Sequence, residues 1–118
     1  MTDAAETAKA RLRGDLRSAM RARNAGETAV VRALIAALDN AQAAPVGDKH
    51  LRYVVHQFGD RSAEVPRLSL DESEVRRLVE QEVASRNADA DQFEGLGRPE
   101  RAAELRAEAA IVARYLTS

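Results

Sequence analysis

Apolar residues recur every three or four positions along most of the chain, the spacing of one face of an α-helix. Ala8, Leu12, Leu16, Ala19 and Met20 share such a face and predict a first helix from about Ala4 to Asn24. Asp3 or Thr2 stands ready to cap its start. Asn24-Ala25-Gly26 supplies a stop, because Asn and Gly tolerate a left-handed backbone. Val31, Leu34, Ile35, Leu38 and Ala41 predict a second helix from about Glu27 to Ala44, ended by Pro45. So short a connection implies an antiparallel helical hairpin.

Residues 45–70 break the pattern. In "HLRYVVHQF", Leu51, Tyr53 and Val55 alternate as in a strand, while Leu51, Val54, Val55 and Phe58 fit a short helix. The expectation is irregular structure with one short helix whose apolar residues pack on the bundle. Helical spacing then resumes. Ser69-Leu70-Asp71-Glu72 matches a capping box and predicts a third helix to about Phe93, with Val75, Val79, Val83, Ala90 and Phe93 on one face. Gly95 and Gly97 break it. Pro99 is suited to the first position of a fourth helix running to about Leu116, with Leu105, Ala109, Val112 and Leu116 inward. The whole predicts one all-α domain over residues 1–118, an antiparallel bundle of four main helices.

Composition narrows the function more than it names it. The chain has no cysteine, so disulfides and thiolate metal sites are excluded. No apolar run approaches the roughly 20 residues of a membrane span, and the N-terminus lacks a signal-peptide core. A soluble cytoplasmic protein is expected. The net charge is −1, which argues against a strong general nucleic-acid binder. The charge is uneven, however: residues 1–44 carry seven basic side chains against five acidic ones, and the segment from Asp71 onward is net acidic.

Two charges sit among apolar residues. At 100° per residue Arg86 falls mid-face on the third helix, between Val83 and Ala90. Glu108 falls at the edge of the fourth helix's face, between Leu105 and Val112. Measured from the corner, they stand at similar heights in the hairpin. They are read as a structural ion pair or as a contact for an anionic ligand. Arg32, on the border of the second helix's face, is the competing partner for Glu108. On the first helix Lys9, Arg13, Arg17 and Arg21 recur every fourth residue. That slowly rotating stripe is either a solvated face or a track for phosphates. No aromatic residues interleave with it for base stacking. His50 and His56 do not have the spacing of a helical metal pair, and Gly95-Leu96-Gly97 lacks the strand and third glycine of a phosphate loop. No catalytic residue, metal or cofactor is expected.

Two segments together resemble the YqeY-like (GatB/YqeY domain) family. "RLRGDLRSAMRARNAGETAVVRALIAALDNA" is similar to its opening helices through Leu12, Asp15, Leu16, Ala19, Met20 and Arg21, then Arg32, Leu34 and Asn40. "ASRNADADQFEGLGRPERAAELRAEAAIVARYL" is similar to its later segment through Arg86, Phe93, Gly97, Arg98, Ala102 or Ala103, Glu104, Glu108, Tyr115 and Leu116. The resemblance covers most of residues 8–44 and 69–116. Residues 45–70 are longer and more apolar than the family's usual connector, and Thr117 stands where proline is usual. The family's second small helical domain is expected to be missing.

The resemblance implies a module like the one at the end of the B subunit of the tRNA-dependent amidotransferase, which helps hold tRNA. It also brings the label of a glutamine-dependent carbon–nitrogen ligase. The active sites behind that label belong to other domains and subunits, and nothing in this chain resembles them. The expected function is therefore a non-catalytic helical module partnering tRNA or an aminoacylation-related protein. The competing expectation is a protein–protein interaction domain with no RNA role, suggested by the near-neutral charge and the apolar 45–70 segment.

Overall fold

The computed structural model describes residues 3–43 and 68–116. Helix α1 spans Ala4–Arg21, α2 Ala25–Ala43, α3 Glu72–Gly95 and α4 Pro99–Ala113; a 3-10 turn, Arg114–Leu116, follows α4. No strand occurs among the described residues. The architecture is an all-α bundle of two helical hairpins, α1–α2 and α3–α4. The expectation for Leu51, Val54, Val55 and Phe58 lies outside the described residues, as do both histidines.

Sequence sets the helix ends. Asp3 caps α1, its carboxylate accepting from the Ala5 amide. Asn24 caps α2 through the Glu27 amide at 3.0 Å. The capping box of α3 is Asp71 with Glu74, not Ser69 with Glu72. The Glu74 amide donates to Asp71 (2.8 Å) and the Asp71 amide to Glu74 (2.9 Å). The helix starts late because residues 68–70 are tied to the first hairpin. The Leu68 amide donates to the Gln42 carbonyl at 2.9 Å, the Leu70 amide to Asp3 at 3.0 Å, and the Leu70 side chain is buried in the core.

The α3–α4 corner is a Schellman motif. The Gly97 amide donates to the Glu94 carbonyl (3.1 Å) and the Arg98 amide to Phe93 (2.8 Å). Gly97 adopts φ 76°, where a side chain would be strained. In place of the usual apolar contact of this motif stands a cation–π contact, the Arg98 guanidinium 5.8 Å from the centre of the Phe93 ring. Pro99 then opens α4, where its missing amide hydrogen costs nothing.

Two apolar clusters result. The larger joins Ala5, Leu12, Val30, Val31, Leu34, Leu38, Leu70, Val79 and Val112, and so draws on all four helices. The smaller joins Ala90, Ala102 and Leu105, with Phe93 packed against it, and belongs to the α3–α4 hairpin alone. Burying one Leu or Val contributes roughly 1.5–3 kcal/mol, so the first cluster dominates stability. The distal half of the α3–α4 hairpin depends on its own thin, alanine-rich core.

Candidate nucleic-acid interface

The outer face of α1 carries Arg13, Arg17 and Arg21, all exposed. Each step of four residues turns the helix by about 40° and advances it about 6 Å. The three guanidinium groups thus leave the helix along one slowly winding line. None of the ion pairs among the described residues includes them. Several other arginines are paired with carboxylates: Arg76 with Glu80 at 3.3 Å, Arg101 with Glu104 at 2.9 Å, and Arg106 with Asp91 and Glu94 at 2.9 and 2.7 Å.

Lys9 does not belong to this line. Its side chain is 3% exposed, and its ammonium reaches Asp39 at 2.8 Å, Gln42 at 2.7 Å and Glu6 at 3.1 Å. All three ammonium hydrogens find acceptors, which is what makes burial of the charge tolerable. The cause is positional. Lys9 lies seven residues before Leu16 and four after Ala5, so it shares the azimuth of the apolar face and starts the row on the wrong side of the helix. Gln42 completes the cluster. Its amide nitrogen donates to Asp3 and Glu6, each at 3.2 Å, and to the Leu68 carbonyl at 3.3 Å. The bonds from Gln42 and then Lys9 hold the Glu6 carboxyl below the ordinary carboxylate range. Sequence reasoning passed over Gln42, although a glutamine four residues after Leu38, on the inward face of α2, was the available signal.

The row ends at a second Schellman motif. The Arg23 amide donates to the Met20 carbonyl (3.1 Å) and the Asn24 amide to Ala19 (2.9 Å). Arg23 occupies the left-handed position at φ 59°, at a cost of about 1 kcal/mol relative to glycine. The expectation that Asn24 or Gly26 takes that conformation is corrected here. Asn24 is committed to capping α2. Met20, read as inward, is 50% exposed, and the exposed Arg32 of α2 lies against its sulfur at 3.8 Å.

Arg86 and Glu108 lie between the two apolar clusters. The Arg86 Nε stands 3.6 Å from Glu108 Oε1, with side chains 15% and 31% exposed. The tighter contact of Arg86 is Glu82, one turn earlier, at 2.8 Å, with the Glu82 carbonyl at 3.1 Å. The Nε itself is buried without a hydrogen bond, so the link to Glu108 is Coulombic. Arg101 adds a 4.0 Å contact to Glu108. Arg32 is not brought to this cluster; its described contact is Met20.

Asp15 and Tyr115 meet across the bundle. The Tyr115 hydroxyl donates to Asp15 at 2.5 Å, and the Arg11 guanidinium lies 4.6 Å above the ring centre. Burial, and then the bond to Asp15, push the phenol above its ordinary pKa. No local pattern signals this pairing, because 100 residues separate the two. Among the described residues no group of His, Cys, Asp or Glu is arranged to hold a metal ion, and no helix is long and apolar enough to cross a membrane.

A family model described as Yqey-like protein matches residues 9–118. No curated protein and no solved structure shows significant similarity to the chain.

Proposed function

This chain belongs to the YqeY-like protein family, and from that premise we propose that it is a non-catalytic helical module that binds tRNA. Its contact is the outer face of α1. The observation that carries the reading is the contrast in charge pairing. Among the described residues, Arg13, Arg17 and Arg21 stand exposed in one row without an ion-pair partner, while Arg76, Arg86, Arg101 and Arg106 of α3 and α4 are held by carboxylates and the unpaired Arg77 and Arg98 stand apart on different elements. Unpaired arginines on a rigid helix need no internal bond broken before they meet phosphate. The chain as a whole is close to neutral, so binding would come from this local face and not from a general basic field.

A titration of tRNA at two salt concentrations tests the proposal. Three phosphate contacts give a slope of log affinity against log salt of about −2 to −3. Affinity that does not change with salt, or no binding at low salt, would contradict it.

A second reading, docking of a protein such as a component of the aminoacylation machinery, is favoured by a separate observation. An open cleft of about 1200 Å³ lies between the first hairpin and α3, with Leu12, Leu70, Val75, Leu78 and Leu116 among its walls. Apolar docking there would depend little on salt, so the same titration with a candidate protein partner separates the two readings.

A further inference from the structure

We infer that Arg23 is a fourth arginine of the same anion-binding face, kept at the α1–α2 corner for its charge and against the preference of the backbone. The inference rests on the RNA reading above and extends it around the corner, to the RNA phosphodiester backbone as ligand.

The argument starts from two corners built the same way. Both α1 and α3 end in a Schellman motif, with matching pairs of amide–carbonyl bonds. At the α3–α4 corner the left-handed position is filled by glycine, Gly97 at φ 76°. At the α1–α2 corner it is filled by Arg23 at φ 59°. Glycine adopts this conformation freely, whereas an L side chain there crowds its own backbone. The chain uses the unstrained solution at one corner and leaves it unused at the other.

Nothing among the described residues accounts for the arginine. Its side chain is exposed and so adds no core packing. None of the ion pairs among the described residues includes it. A cation at the C-terminus of α1 is favoured by the helix dipole, but Arg21 already occupies the last turn. Strain of this kind is retained where a site uses it. The surroundings say which use. Arg21 precedes the corner, Arg32 of α2 lies against Met20 of α1, and Met20 is exposed between them. Arginines from two helices and the turn thus gather at one end of the row. A backbone that follows α1 past Arg13, Arg17 and Arg21 meets its next cation at Arg23.

Four proteins decide the matter: the parent chain, Arg23→Lys, Arg23→Ala and Arg23→Gly. Each is melted and titrated with tRNA across salt. Lysine keeps charge and strain, alanine keeps strain only, and glycine keeps neither. Arg23→Lys is expected to bind within about twofold of the parent. Arg23→Ala and Arg23→Gly are expected to lose about five- to eightfold in affinity at 0.1 M salt, with the salt slope smaller by about 0.7–0.9, the value of one phosphate contact. Arg23→Gly should also melt a few degrees above both the parent and Arg23→Ala, which keep the strain. It is then the better-folded and weaker-binding protein, which excludes unfolding as the cause of lost affinity. Parent-like affinity and slope for Arg23→Gly would overturn the inference. If Arg13→Gln, Arg17→Gln and Arg21→Gln still weaken binding in that case, the face stands without Arg23. If they do not, the RNA reading falls with it.

Discussion

Lys9 shows how one residue changes role when its azimuth is known. As one of four evenly spaced cations it looks like part of a surface stripe. In the structure it is buried at the centre of a cluster, with half-exposed carboxylates around it, that ties α1 to α2 and, through Gln42 and Asp3, to the strap at residues 68–70. Lys9→Met removes the cation and leaves Gln42 Oε1 without its donor. The expected loss is on the order of 3 kcal/mol, read by chemical denaturation, with tRNA affinity unchanged if Arg13, Arg17 and Arg21 form the contact. The acidic members of this end predict a pH effect. Glu6 is held below its ordinary pKa by Gln42 and Lys9, and Asp71 by the Glu74 amide and then the Ser73 hydroxyl. Both carboxyls are thus more acidic folded than unfolded. The stability they add is fully present above their unfolded values, about pH 4, and drains as pH falls through the lowered folded values. Stability should fall as pH drops below about 4, and the Glu6→Gln, Asp71→Asn double variant should show a shallower acid slope in pH-dependent melting.

The elements were largely legible, because a 3.6-residue apolar period, Pro45, Pro99 and Gly97 mark helices and their ends without reference to tertiary structure. The failures have tertiary causes. Two overlapping segments, Ser69 to Glu72 and Asp71 to Glu74, both satisfy the capping-box pattern. The second is used because Leu70 is buried and its amide is bound to Asp3. No local rule expresses that choice. Arg23 was missed because propensity points to Asn24 or Gly26, and only the bond from Asn24 to the α2 amide shows why Asn24 is occupied. The α3–α4 hairpin gave the opposite result, since the heights of Arg86 and Glu108 could be counted from the corner. Their coupling is expected to be modest. At 3.6 Å, with Glu108 31% exposed and Arg86 bound more closely to Glu82, an Arg86→Met, Glu108→Gln double-mutant cycle should give about 1 kcal/mol or less. A coupling of 3 kcal/mol would mean that the pair is far better shielded from water than this geometry allows.

At the scale of the molecule, the bundle has one shared core and one private core, separated by the charges of Glu82, Arg86 and Glu108. Leu105 belongs to the private core. Leu105→Ala should therefore speed amide exchange around Ala90 and Ala102, while amides around Leu34 and Val112 keep their protection. Uniform loss across all four helices would mean a single cooperative core. The two hairpins also divide the charge. Among the described residues, Arg76, Arg86, Arg101 and Arg106 of the second are matched internally and Arg77 and Arg98 are not, whereas on α1 three arginines without an ion pair stand in one row. The proposed function depends on that difference, and one measurement addresses it most directly: the salt dependence of tRNA binding by the Arg13→Gln, Arg17→Gln, Arg21→Gln triple variant beside the parent chain. If the row tracks phosphates, the slope of log affinity against log salt shrinks by about two to nearly three units, with the melting temperature little changed because all three side chains are exposed. An unchanged slope in a folded triple variant would contradict the assignment of RNA binding to this face.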